Sequence, residues 1–368
     1  MLRFAVMLPL LVLAACGQEP PQGDTPYQPT PGMAAILSER QAMHATRYAA
    51  QENPYASRDV PSLSDAGNAI PNVVGLPAPD IEVSQFNQLG GSGAAGPLSA
   101  RLYRPALAKD TPVIIYFPGG TWATGSLDQY DGSARQLAAR TGYVVVSIRT
   151  RLAPDTSFPG EHEDALAAYD WARTNLRSWG GDPTRVALVG EGPGANLALS
   201  TALAARDRAF HGGLVPTPDA LALITPWAGT GLSSSSMSEN GGSNPLSRSD
   251  VRWANRLYAR NDLDDPRIDL EDRSDFAQMP PTTLVLAQID PLRSGGETLA
   301  TRMQAAGVPV EGRLYQGVTY DFFGLGAQVP EAAAAEDYVA ARLRAVFYRP
   351  ELPVIPRRRP VSRSRVRR

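Results

Sequence analysis

Along the middle of this chain, short apolar runs alternate with longer amphipathic stretches. Pro112 to Phe117 is a nearly continuous apolar run, the pattern of a strand buried on both faces. Tyr143 to Ile148, Val186 to Gly190, Ala220 to Ile224 and Thr283 to Gln288 are similar runs, largely β-branched, and Ser99 to Tyr103 alternates as a strand. Helical patterns lie between them: Leu127 to Arg140, His162 to Trp179, Gly194 to Arg206 and Gly296 to Ala306. Strands alternating with helices imply right-handed crossovers and an α/β fold whose mainly parallel sheet is covered on both sides. Ligands of such sheets bind beyond the carboxyl ends of the strands. Upstream, Met33 to Gln51 is helical in character and loops rich in Asn, Pro and Ser continue to about Pro77, so 32–76 is expected to form a small N-terminal helical cap. Gly90-Gly91-Ser92-Gly93 reads as a hairpin loop rather than a phosphate cradle, because no Lys-Ser/Thr follows it.

The two ends have different characters. Met1-Leu2-Arg3, an apolar run from Phe4 to Leu13 and Ala14-Ala15-Cys16 make a secretory signal over 1–15, its apolar run too short to span a bilayer comfortably. Leu13-Ala14-Ala15-Cys16 resembles a bacterial lipobox, and Cys16 is the only cysteine of the chain. A lone thiol forms no internal disulfide, so its place here points to lipidation and to an exported protein anchored in the cell envelope, on the outer-membrane or periplasmic side. Residues 16–31, rich in Pro, Gly and Gln, read as a tether. The folded body is expected over 77–350 and a basic, disordered tail over 351–368. The last twelve residues carry seven arginines and no acid, while the rest of the chain holds 28 basic residues against 37 acidic ones. That tail suits contact with an anionic membrane surface; export argues against nucleic acid.

With 368 residues, 43% of them hydrophobic, the chain has globular composition and can bury a large core. Its chemistry lies in a series of short motifs: Phe117-Pro118-Gly119-Gly120-Thr121-Trp122, Arg151-Leu152-Ala153-Pro154, Gly180-Gly181-Asp182-Pro183, Val189-Gly190-Glu191-Gly192-Pro193-Gly194, Asp290-Pro291-Leu292, Ala305-Ala306-Gly307-Val308-Pro309-Val310 and Gly317-Val318-Thr319-Tyr320-Asp321-Phe322-Phe323. In order and spacing, residues 76–349 resemble the hormone-sensitive-lipase branch of the α/β-hydrolases, the bacterial carboxylesterases and arylesterases. The resemblance implies an α/β-hydrolase fold, an oxyanion loop at Pro118, Gly119 and Gly120, a nucleophile elbow at Gly192, an acid at Asp290 and a base at position 320.

Such enzymes attack a carbonyl with serine, move the proton with histidine, orient the histidine with an acid and hold the oxyanion with backbone NH groups. Here Gly192 stands at the serine position and Tyr320 at the histidine position. Pro193 stands where an NH would be donated to the oxyanion and has none, and Pro118 replaces the loop histidine. Asp290 alone keeps the triad residue. Loss of a triad nucleophile or base costs on the order of 10⁶ in turnover, and loss of one oxyanion donor a further 10² to 10³ or so. The expectation is therefore a catalytically inactive homologue whose pocket, lined by Pro118, Gly119, Gly120, Glu191, Gly192, Asp290 and Tyr320, holds a small acyl or carboxylate ligand or a protein partner. The alternatives are a divergent carboxylesterase or lipase acting on short-chain esters through non-standard residues, and a purely structural envelope protein. Glu191, Asp290, Tyr320 and Asp321 could converge on one acidic pocket. His162, beside Glu163 and Asp164, reads as a packing residue. No cofactor is implied, and with its single cysteine at the N-terminus the chain shows no cluster at metal-ligand spacing.

Overall fold

The computed structural model describes residues 27–50, 81–89, 98–213 and 215–348, with backbone alone for 41–50 and 86–89. Cys16, the expected signal and most of the expected tether, the Gly90–Gly93 loop, residues 51–76 and the arginine tail lie outside the described residues. Eight strands form one sheet: β1 (Ile81–Leu89), β2 (Leu98–Pro105), β3 (Thr111–Phe117), β4 (Val144–Arg149), β5 (Gly181–Glu191), β6 (Ala220–Ile224), β7 (Thr282–Ile289) and β8 (Val310–Thr319). Their order is β1-β2-β4-β3-β5-β6-β7-β8. β2 runs antiparallel to β1 and β4, and every other pairing is parallel. The expected mainly parallel α/β-hydrolase sheet is present.

Alternation along each central strand explains the unbroken apolar runs. Val113, Ile115 and Phe117 of β3 face one core with Val144, Val146 and Ile148 of β4, while Ile114, Tyr116 and Val145 face the other. The first core is closed by α3 (Gly160–Asn175), α4 (Pro193–Phe210) and α7 (Arg293–Ala305). Helices α1 (Pro31–Ala50), α2 (Asp131–Thr141) and α8 (Pro330–Phe347) close the second. Two further helices, α5 (Ser235–Asn240) and α6 (Arg248–Tyr258), follow β6 and pack Met237, Val251 and Trp253 onto the first core.

Helix α1, within the stretch expected to form a cap, lies along the β8 edge. Met33 and Ile36 are buried in the second core, the Thr30 NH donates to the Gly317 carbonyl at 2.8 Å, and Thr319 Oγ1 approaches Met33 Sδ at 3.6 Å. Among the described residues no helix is long and apolar enough to cross a membrane.

Candidate active site

Four strand ends meet at one place. β3 leads into the Pro118–Gly120 loop, β5 into Gly192, β7 into Asp290 and β8 into Tyr320. In register, Phe117 pairs with Gly190, Glu191 with Ile224, and Ile289 with Thr319, so these residues arrive at one level of the sheet.

The elbow is held by its main chain. Gly192 adopts φ 49°, ψ −119°, a conformation that glycine tolerates more readily than other residues. Its NH donates to the Ile224 carbonyl at 2.9 Å. Its own carbonyl accepts from the NH groups of Ala195 at 3.1 Å, Asn196 at 3.4 Å and Trp227 at 3.0 Å. Pro193 takes the first helical turn of α4, where its fixed φ suits the helix and its missing NH leaves no intrahelical bond unmade. The positive end of the α4 dipole therefore still points at the site.

The loop after β3 is bent by Gly120 at φ 124°, Trp122 at φ 66° and Gly125 at φ 119°. A buried aromatic stack keeps Trp122 in that left-handed conformation: its ring lies 4.6 Å from Tyr258 and 5.7 Å from His162 between centroids. His162 accepts or donates at both ring nitrogens, to Tyr258 Oη at 2.7 Å and to Asn196 Oδ1 and the Arg267 carbonyl at 3.1 Å each. Burial lowers its pKa to about 4, so it is neutral at ordinary pH. His162 is buried in this stack and does not stand in solvent.

Tyr320 is the residue whose position sequence reasoning did not anticipate. From the strand end that leads into it, its hydroxyl reaches across to the elbow. A Cβ added to Gly192 would lie 1.9 Å from Tyr320 Oη, so the phenolic oxygen stands where a serine side chain would be. The hydroxyl donates to the Gly120 carbonyl at 2.7 Å and the ring is buried. Burial, together with the charges of Asp321, Asp290 and Glu191, keeps the phenol protonated well above the ordinary tyrosine range. Glycine at 192 and tyrosine at 320 are thus one substitution in two places.

Asp290 is buried beside Tyr320. Its Oδ1 accepts the Leu292 NH at 2.8 Å while Oδ2 has no partner among the described residues. Burial raises its pKa to about 7, the Leu292 bond and Arg293 opposing the rise. Glu191 does not share that space. Its Oε1 accepts from Tyr116 Oη at 2.6 Å, on the side of the sheet covered by α2 and α8, and burial raises it to about 8. Asp321 likewise turns to Tyr130, whose hydroxyl donates to Oδ1 at 2.6 Å, with Arg40 of α1 at 3.8 Å. The three carboxyls therefore do not converge on one pocket: Glu191 and Asp321 each turn to a tyrosine of the second core, and Asp290 stays apart from both.

Of the seven expected pocket residues, Pro118 and Gly119 line a small cavity behind the oxyanion loop with Trp122, Pro193, Gly194 and Leu197. It measures about 20 Å³, room for an ordered water. Glu161, buried at its floor, has one carboxylate oxygen without a partner, and burial raises its pKa well above the ordinary range. Arg149 nearby donates to the Gly125 carbonyl. Neither Glu161 nor Arg149 stands in a sequence motif that signals a site, and only the fold brings them to the cavity.

A glycine elbow, a glycine-rich loop and a buried acid on the carboxyl ends of parallel strands define a protein of the α/β-hydrolase class. Residues 114–324 match the family described as alpha/beta hydrolase fold. The chain is 34% identical over 275 residues to the carboxylic ester hydrolase LipN of Mycobacterium tuberculosis, spanning 73% of this chain and 72% of that protein. It is 34% identical over 265 residues to the esterase LipI of the same organism, spanning 70% and 80%. Among solved structures the Pyrobaculum calidifontis esterase superposes with a TM-score of 0.71 at 29% identity, covering 86% of this chain and 98% of that one. The chain belongs to the α/β-hydrolase family of carboxylic ester hydrolases. These relatives overturn the expectation of an inactive, ligand-holding homologue: the proteins that match across the site are named as ester hydrolases, and they favour the divergent esterase.

Proposed function

We propose that this protein hydrolyses short-chain carboxylic esters without a serine–histidine pair. The observation that carries the reading is a hydroxyl, that of Tyr320, at the place a side chain on Gly192 would occupy, within a site that keeps the elbow's turn, the loop glycines and the buried Asp290. The retained α4 dipole, the Gly119 and Gly120 backbone and buried Asp290 supply an environment for a developing oxyanion and a proton acceptor. The expected result is turnover of 4-nitrophenyl acetate above a buffer blank between pH 7 and 10, falling when Asp290 is changed to Asn. No turnover across that range by folded protein would overturn the reading.

The same reading puts the protein in the cell envelope, held by a lipid on Cys16. A Cys16→Ser variant should then move from the membrane fraction to the soluble one; a variant that still partitions with membranes would rule out the lipid.

A further inference from the structure

Serine and tyrosine place oxygens of different chemistry at the same point. The oxygen near the position of a Cβ on Gly192 belongs to a phenol, fixed by its bond to the Gly120 carbonyl and by burial of its ring. Tyrosine side chains do form covalent intermediates in enzymes. Resting on the ester-hydrolase reading above, we propose that Tyr320 is the nucleophile and that the substrates are aryl rather than alkyl esters.

The steps balance as follows. Tyr320 Oη forms a bond to the ester carbonyl carbon while the bond from that carbon to the leaving oxygen breaks; the phenolic proton ends on the departing alcohol, leaving an acyl-tyrosine. Water then adds to the acyl carbon, the bond to Tyr320 breaks, and one water proton returns to Oη, giving a carboxylic acid and free tyrosine. In each step Asp290, whose charge bears on the phenol and whose Oδ2 has no partner among the described residues, is the group assigned to take up the proton being moved and pass it on, from Oη to the leaving oxygen and then from water to Oη.

The choice of substrate follows from leaving-group chemistry. A phenolate expels a phenolate of similar or lower basicity easily but an alkoxide, several units more basic, with difficulty. Acyl transfer from an aryl ester to Tyr320 therefore runs forward, and from an alkyl ester it reverts. The groups whose charges bear on the buried phenol, Asp321, Asp290 and Glu191, are all acids and resist formation of the phenolate. Turnover should accordingly rise with pH up to alkaline values instead of levelling off near neutrality as histidine-based catalysis does.

The test uses the full chain. Wild type mixed with phenyl acetate should release phenol at a rate at least about a hundred times that for ethyl acetate. After brief acid quenching, the peptide between Arg313 and Arg342 should carry one acetyl group, placed on Tyr320 by fragmentation. Tyr320→Phe, which keeps the ring, should lose the adduct and lower phenyl acetate turnover by on the order of 10³-fold or more. Turnover that persists in Tyr320→Phe, or an adduct on another residue, would overturn the tyrosine mechanism while leaving ester hydrolysis intact. Absence of both turnover and adduct in folded wild type would overturn both.

Discussion

Gly192→Ser is expected to destabilise the protein and to yield no serine hydrolase. A Cβ at this position would come within 1.9 Å of Tyr320 Oη and 2.9 Å of Cζ, closer than real side-chain contacts allow, and the backbone sits at φ 49°. A left-handed conformation for a non-glycine residue costs on the order of 1–3 kcal/mol, and displacing a buried ring with its hydrogen bond adds about as much again. The midpoint of thermal unfolding should fall by about 3–10 °C for a domain of this size. Tyr320→Ala should itself be costly, because it empties a buried site. The double variant should cost less than the two together, a favourable coupling of about 1–3 kcal/mol in a double-mutant cycle. Costs that simply add would mean that the ring and position 192 do not compete for space.

The second large effect concerns pH. Asp290 and Glu191 have pKa values raised to about 7 and about 8 from ordinary values of 3.8 and 4.5. Above their ordinary values the unfolded chain has released both protons while the folded protein keeps them, so these groups favour folding at low pH and lose that contribution as pH rises through 7 and 8. Each costs about 1.4 kcal/mol per pH unit within its window. His162 works in the opposite direction, since its folded value of about 4 lies below the ordinary 6.5; its contribution is complete above pH 6.5 and lost below it. Between pH 6.5 and 8 the two carboxyls dominate this trio, and stability against urea should fall by on the order of 1–3 kcal/mol. Glu191→Gln, which preserves the acceptor for Tyr116, should flatten the upper part of that slope, and Asp290→Asn the lower. A wild-type stability that is level over this range would show that the two carboxyls titrate normally.

The central fold was legible because its strands are buried on both faces. β3 through β7 announce themselves as apolar runs, and α4 is marked by the glycine and proline before it. β8 was missed: Gly312, Gly317 and exposed polar positions break its pattern, as suits a strand at the edge of the sheet. β1, at the other edge, is equally polar. α5 and α6 are rich in serine and charge, and what they bury is decided by the aromatic stack around Trp122, whose members come from distant segments. Within the site the motif positions were found from their spacing, but spacing cannot show how far a side chain reaches. The distance from Tyr320 to Gly192 is a property of two strand ends brought level by the sheet. Spacing also suggested Glu191 for the pocket, whereas strand alternation turns it to the opposite face.

The association of α1 with β8 bears on how the molecule is handled outside its native setting. Among the described residues β8 has no strand beyond it, and an open edge offers unpaired main-chain groups to any neighbouring chain. Thr30 occupies part of that edge with its bond to Gly317, and Met33 and Ile36 seal the apolar ground beside it. Trimming the chain so that it begins just ahead of β1 would strip away this guard while leaving every strand of the sheet in place. The shortened protein should be prone to edge-to-edge self-association, so the helix ahead of the hydrolase body is part of its solubility.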